Sequence, residues 1–353
     1  MTRVQHWAMT SSRAPFARGS REEAPPGPGQ VLVRVAGCGV CHTDLGFWLG
    51  DVKTNHPLPL VLGHEVSGFV EEAGEGAEDW LGRAVIVPAV MPCGECRSCT
   101  RGLYALCPKQ VFPGNDVHGG FASHLVVPAR WLCASPETDP ARLALQSVVA
   151  DAVSTPYEAI QRSGLLPGQL AVFVGAGGVG GFGVQIAAAL GATVVAIDPD
   201  GERRGQALKG GAALALDPKA QDIGAMRRAL RDLAKQNGLP SEEWKIFETS
   251  GTASGQETAF ALLVRGSHLG IVGFTPSPAS VVVSRLMALD ARAVGNWGCA
   301  PERYPEVVAL VASGRIAIEP FVDVRPMSGI DTVFTEMAEH RMRRRAVLVP
   351  DFA

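Results

Sequence analysis

The chain has 353 residues, 46% of them hydrophobic, and its 32 Lys and Arg stand against 35 Asp and Glu for a formal net charge of −3. That balance argues against a nucleic-acid or anionic-membrane partner, and the length suits two domains of about 150 residues each. No apolar run approaches the roughly 18 residues of a membrane span, and Met1 to Trp7 shows no long apolar segment of a secretory signal, so a cytoplasmic protein without a membrane partner is expected.

Residues 15–30 are rich in Pro, Gly and charge and read as surface turns. From 31 to about 133 the apolar runs are short and broken by Gly and Pro, which predicts a compact, mostly β domain. Its first run, Val31 to Val35, leads into Gly37-Cys38-Gly39-Val40-Cys41-His42-Thr43-Asp44, read as a loop at the strand's end. Gly63-His64-Glu65 comes next, beside a second apolar run. A soft thiolate with an imidazole points to zinc, so Cys41 and His64 are read as sharing one ion; the plain alternative is a small buried cysteine.

Further on, Cys93, Cys96, Cys99 and Cys107 form C-x2-C-x2-C-x7-C in one Gly- and Pro-rich loop. Four thiolates make a closed tetrahedral zinc site with no position for substrate, which is a structural role. A segment from Pro140 to Gln161 reads as helical. It carries Asp151 inside an apolar run, where a carboxylate is costly unless it is paired or binds metal. Cys41, His64 and Asp151 would give three protein ligands and leave a fourth position open. Asp44 and Glu65 are then candidates to orient the ligands, with Glu65 also an alternative ligand.

The pattern changes at Leu170-Ala171-Val172-Phe173-Val174, a continuous apolar run of the kind buried parallel strands show. Strand-like runs at 193–197, 213–216, 245–248 and 269–273 then alternate with helical stretches, which predicts a doubly wound parallel sheet. Gly175-Ala176-Gly177-Gly178-Val179-Gly180 lies after a strand and opens a helix, the context a dinucleotide turn requires. Asp198 ends the next strand at the spacing of the acid that binds ribose hydroxyls; a carboxylate there repels a 2′-phosphate, so NAD is expected rather than NADP. Helical stretches near 302–313 and 328–339 and a final strand at 346–349 complete the chain.

With these motifs in hand, the sequence resembles the zinc-containing medium-chain alcohol dehydrogenase family over nearly its whole length. The resemblance implies a GroES-like, mostly-β catalytic domain (residues 1–152 and 296–353, with a structural-zinc lobe at 93–107) and a Rossmann NAD-binding domain (153–295). It implies two zinc ions per chain, a catalytic one held by Cys41, His64 and a third ligand where Asp151 stands. Thr43 would pass the alcohol proton outward, and His42, Thr155 and Arg345 would join the Gly175–Gly180 turn as cofactor contacts. The position five residues after Cys41, where many members carry a relay histidine, is Gly46. A homo-oligomer, dimer or tetramer, is implied, acting on a small secondary alcohol.

Ser147 to Val153, Trp244 to Glu248, Gly295 to Cys299, Pro113 to Asp116 and Gly119 to His124 further resemble those members that oxidise a cyclic hydroxyacyl-CoA thioester. That substrate would need cationic contacts, for which Arg285, Arg292 and Arg303 are candidates, and the same site is a candidate for hydrating the enone product. The alternatives are a general secondary-alcohol or polyol dehydrogenase, a zinc-free reductase of the same fold, and a non-catalytic NAD- and zinc-binding scaffold.

Overall fold

Short strands with β-branched residues on one face need a second layer to cover them, and the first third of the chain supplies it by antiparallel pairing. The computed structural model describes residues 1–352. It opens with a hairpin of β1 (Thr2–Ala8) and β2 (Ala17–Glu23). Then come β3 (Gln30–Gly39), β4 (Glu65–Ala73), β5 (Ala84–Val87), β6 (His124–Pro128) and the two-residue β7 (Cys133–Ala134). β3 pairs with β4 and with β6, and its register against β4 shifts between Leu32 and Val33 and again between Val35 and Gly37. Such bulges bend a strand and re-aim the residues at its end; here those are the Cys41 stretch.

The middle of the chain is a parallel sheet of β8 (Leu170–Val174), β9 (Thr193–Ile197), β10 (Ala212–Leu216), β11 (Lys245–Glu248), β12 (His268–Ile271) and β13 (Arg292–Gly295), in the order β10-β9-β8-β11-β12-β13. The order reverses between β8 and β11, and the crevice beyond the strand ends at such a switch point is where α/β sheets take ligands. Three of the crossover helices begin on side-chain caps: Asp200 accepts from the backbone N–H of Glu202 and Arg203, Asp222 from Ala225 and Thr252 from Gly255. After this sheet the chain makes the helix Tyr304–Ala312, then β14 (Val322–Pro326), the helix Ile330–Ala338 and β15 (Arg345–Val349). β15 pairs antiparallel with β3 at Gly39 and Cys38.

Two compact units result, 1–154 with 298–353 and 155–297. The first packs around Val33, Leu60, Leu62, Val85, Phe121, Phe334 and Leu348, and the second around Val172, Val195, Trp244, Ile246 and Leu269. Both halves of the expected fold class are present: a GroES-like β domain and a Rossmann sheet. Among the described residues no helix is long and apolar enough to cross a membrane.

Two local expectations are corrected, and one strand is found that no expectation covered. The stretch 140–161 is not one helix. It runs as Pro140–Leu145, a 3-10 turn Gln146–Ala150, a break at Asp151 (φ −143°, ψ −61°) and a new helix Ser154–Ser163. The stretch 37–44 is a loop only at Val40 and Cys41: Gly37 to Gly39 still belong to β3, and Cys41 is the N-cap of the helix His42–Leu49. The sixth strand of the parallel sheet, β13, carries Arg292 and a largely exposed edge rather than an apolar run, so no periodicity marks it.

In the parallel sheet Lys245, His268 and Arg292 are register partners on three adjacent strands. Burial first, then the positive charges of Lys245, Arg292 and Arg162, push the His268 pKa down to about 4. Between that value and about 6.5 the unfolded chain binds a proton that the folded one does not, so stability falls as pH falls through this window. His268→Gln is therefore expected to flatten the acid limb of stability against pH, measured by urea unfolding between about pH 6.5 and 4. An unchanged slope would remove His268 as its source.

Candidate active site

β3 and β4 end side by side, with Gly39 opposite Glu65. This brings the Cys41 stretch and His64-Glu65 to one end of the antiparallel pair. Asp44, fully buried, ties them together. Its Oδ2 accepts the Cys41 N–H at 2.9 Å, its Oδ1 accepts the Gly63 N–H at 3.0 Å, and the same oxygen lies 3.3 Å from His64 Nδ1. One carboxylate thus fixes the backbone before both candidate ligands and the orientation of the imidazole, the arrangement that fixes a metal-binding tautomer.

Asp151 arrives at this point from the break between two helices. Its Oδ2 lies 3.7 Å from Cys41 Sγ and 3.6 Å from His64 Nε2. The candidate ligand atoms of Cys41, His64, Glu65 and Asp151 all lie within 4.8 Å of one another. Bonds of about 2.0–2.3 Å to zinc in a tetrahedron place neighbouring ligand atoms about 3.3–3.8 Å apart, so the group fits that ion. Its charge fits too. Burial alone would lower the His64 pKa, but Asp44, Asp151 and Cys41 outweigh it and hold it well above the ordinary value. A field that draws a proton this strongly onto an imidazole favours a divalent cation in the same place.

Glu65 is fully buried, and burial pushes its pKa up to about 7 against the pull of Arg345. Its Oε1 accepts from Arg345 Nη1 at 2.6 Å and from the Ala152 N–H at 3.1 Å, while Oε2 is buried without a hydrogen-bond partner. Oε1 thus orients Arg345 and the Ala152 backbone beside Asp151, and Oε2 is the one atom of Glu65 that could ligate. Arg345 is drawn in by the β3–β15 pairing and also approaches the Val40 carbonyl at 3.5 Å. The Thr43 hydroxyl lies 3.7 Å from Cys41 Sγ, on the same side as the ligands. His42, the first residue of its helix, is exposed, and Gly46 has only Val52 Cγ2 near where a side chain would begin.

The cysteine lobe closes on itself. The Sγ–Sγ distances are 3.5 Å for Cys96–Cys99, 3.6 Å for Cys107–Cys93, and 3.9 Å for both Cys93–Cys99 and Cys96–Cys107. Four thiolates about 2.3 Å from one zinc would stand about 3.8 Å apart, so this set also fits the ion. The Glu95 and Cys96 backbones, with the neighbouring thiols, bring the Cys93 pKa down to about 6, which favours the ligating thiolate.

In the parallel sheet the glycine turn comes directly after β8. Gly175 has φ +96°, and a Cβ on Gly180 would fall 1.8 Å from the Gly175 carbonyl oxygen, so this turn requires glycine at both places. Val179 caps the helix Gly180–Ala189, whose first N–H groups are those that bind phosphate in such folds. Asp198 Oδ2 accepts the Ala176 N–H at 2.8 Å and its Oδ1 the Asp200 N–H at 2.8 Å. It therefore sits against the turn as the spacing predicts. Thr155 is buried, and its carbonyl accepts from Asn296 Nδ2 at 3.3 Å.

Two neighbours of the turn are not evident from the sequence. Arg203 Nη1 lies 3.5 Å from where a Gly177 side chain would begin, and the Thr249 hydroxyl donates to the Gly175 carbonyl at 2.6 Å. The available signal for Arg203 is its place one turn into the helix after Asp198; Thr249 has none beyond its place just after β11. Of the candidate thioester contacts, Arg285 is engaged with the Leu263 carbonyl at 3.1 Å, and Arg292 is a partner in the His268 row.

Known proteins agree with this layout. Residues 27–137 match the alcohol dehydrogenase GroES-like domain and residues 178–313 the zinc-binding dehydrogenase family. An alcohol dehydrogenase of Geobacillus stearothermophilus is 30% identical over 92% of this chain and 93% of its own length. An L-threonine 3-dehydrogenase of Pyrococcus furiosus is 30% identical over 84% of each. The crystal structure of the alcohol dehydrogenase from Aeropyrum pernix superposes with a TM-score of 0.86 at 26% identity, covering 98% of this chain and 100% of that one. The chain belongs to the zinc-containing alcohol dehydrogenases, oxidoreductases that couple a small-molecule alcohol to a nicotinamide cofactor.

Proposed function

We propose that Cys41, His64 and Asp151 hold a catalytic zinc, that Cys93, Cys96, Cys99 and Cys107 hold a structural one, and that the chain oxidises a secondary alcohol with NAD as hydride acceptor. The observation that carries this reading is the convergence of three ligand side chains from three separate stretches, with Asp44 fastening two of them. Zinc at such a site supplies a Lewis acid that can lower the pKa of a bound water to about 7, and of an alcohol similarly. The protein's own part is positional. Asp44 sets the His64 ring, Glu65 and Arg345 pair beside the ligands, and the Thr43 hydroxyl would take the alcohol proton while handing its own outward toward the cofactor ribose. The Gly175–Gly180 turn takes the cofactor pyrophosphate, and Asp198 its ribose hydroxyls; His42, Thr155 and Arg345 are further candidate cofactor contacts. Replacing Asp198 by Ala is expected to raise the ratio of kcat/KM for NADP over NAD at least about tenfold, about 1.4 kcal/mol. An unchanged ratio would move cofactor choice elsewhere.

For the substrate we infer 6-hydroxycyclohex-1-ene-1-carbonyl-CoA, oxidised to its 6-oxo product as in anaerobic benzoyl-CoA degradation, with hydration of the enone as a companion activity. Support comes from the sequence resemblance at 113–124, 147–153, 244–248 and 295–299. A general secondary-alcohol or polyol dehydrogenase is the second reading, favoured by relatives named alcohol dehydrogenase and L-threonine 3-dehydrogenase. Nicotinamide absorbance with the CoA thioester and a panel of free cyclic and linear secondary alcohols decides between them. Turnover confined to the thioester supports the first, and turnover of free alcohols alone removes it. Incubation of the enone thioester without NAD tests the hydration, and absence of a water adduct by mass spectrometry removes it. A homo-oligomer is supported by the exposed β13 and by the exposed Val282, Val283 and Met287 beside the same sheet.

A further inference from the structure

We infer that Tyr304 is a positioning residue for the metal centre, its hydroxyl fixing the backbone from which Asp151 reaches the ion. The inference rests on the reading of Asp151 as a ligand. Asp151 has the shortest acidic side chain, so its carboxylate goes where its backbone puts it. That backbone lies outside both flanking helical turns, at φ −143° and ψ −61°, and no strand ladder holds it. The preceding carbonyl, Ala150, does the holding. It accepts from Tyr304 Oη at 2.6 Å, from Ser154 Oγ at 3.2 Å and from the Ala89 N–H at 3.3 Å. A carbonyl oxygen has two lone pairs, so three donors exceed its usual complement. The Ala89 N–H is shared with the Tyr304 oxygen, also at 3.3 Å, which closes the group.

The other side of Asp151 is held as well, since the Ala152 N–H donates to Glu65 Oε1 at 3.1 Å and Glu65 is held by Arg345. The peptide units on both sides of the ligand are therefore fastened, one to Tyr304 and one to Glu65. Tyr304 is completely buried. For packing alone a phenylalanine would fill nearly the same volume without a polar atom to satisfy. The hydroxyl reaches Ala150 from a segment more than 150 positions later, on the helix that begins the chain's return to this unit.

The test compares Tyr304→Phe, Ser154→Ala and Asp151→Asn with the full-length enzyme as purified. Zinc release to a chromogenic chelator and the visible spectrum after cobalt substitution are the readouts. Partners that orient a ligand are typically worth 10- to 100-fold in metal affinity. Tyr304→Phe is therefore expected to release one of its two zinc equivalents about tenfold faster, with the other released at the wild-type rate and the cobalt bands shifted. Wild-type release and spectrum in Tyr304→Phe, with that equivalent missing from Asp151→Asn, would overturn the role of Tyr304. Wild-type zinc content and release in Asp151→Asn would instead overturn the ligand reading beneath it. If Tyr304→Phe does not fold, Ser154→Ala decides alone: faster release of the same equivalent supports the carbonyl hub, and unchanged release overturns it.

Discussion

If the chain holds the two zinc ions proposed, His64→Ala is expected to lose one of them and to reduce alcohol turnover by at least about 10³-fold, since electrophilic stabilisation of several kcal/mol disappears at about 1.4 kcal/mol per decade. The site explains why no neighbour compensates. Asp44 Oδ1 points at the imidazole and the Gly63 N–H, so it holds a ligand and is not free to become one. Glu65 has one unclaimed oxygen, but its other is engaged with Arg345 and the Ala152 N–H. Removing the ring also leaves Asp44 and Asp151 facing each other's charge across a cavity without the group between them, which discourages rather than rescues ligation. The cysteine lobe should keep its ion. Zinc by elemental analysis, beside rates and the thermal midpoint, checks this. A variant holding both ions and the wild-type rate would sink the assignment of His64.

Most of this centre is legible in the sequence because its chemistry is dense there. Cys41 and His64 sit in short glycine-flanked stretches, and a carboxylate at Asp151 amid Val148, Val149, Ala152 and Val153 is hard to explain without a partner. The sheet strands at 170–174, 193–197 and 245–248 are legible for a related reason. Strands buried on both faces become continuous apolar runs. The features that stay hidden depend on tertiary context. The break at Asp151 is maintained by Tyr304 and Glu65, both far away in the chain. The helix starting at His42 contains Gly46 and ends after eight residues, too short for a periodic pattern to declare itself. β13 has the composition of an exposed edge and forms because β12 offers it a ladder. Arg203 reaches the glycine turn only because the Asp200 cap starts its helix where it does.

Cys99→Ser is expected to cost stability rather than chemistry. Each thiol of the lobe has two neighbours, those of Cys99 being Cys96 at 3.5 Å and Cys93 at 3.9 Å, and Cys99 is the most buried of the four residues. Burial pushes its pKa up to about 12, so a thiolate there would need a cation beside it. The surrounding segment has little else to hold it: its only regular pieces are the 3-10 turns Cys99–Arg101 and Tyr104–Leu106, and Leu106 is exposed. A short segment with so small a core uses metal binding as folding energy. Losing it belongs with the few single changes that exceed about 4 kcal/mol. Zinc content should drop by one equivalent, the thermal midpoint should fall, and limited proteolysis should cut first within 93–107. Residual enzyme below its new midpoint should keep its KM for alcohol, because Cys41, His64 and Asp151 lie outside the lobe. A large rise in that KM, with the midpoint unchanged, would show the lobe taking part in substrate binding instead.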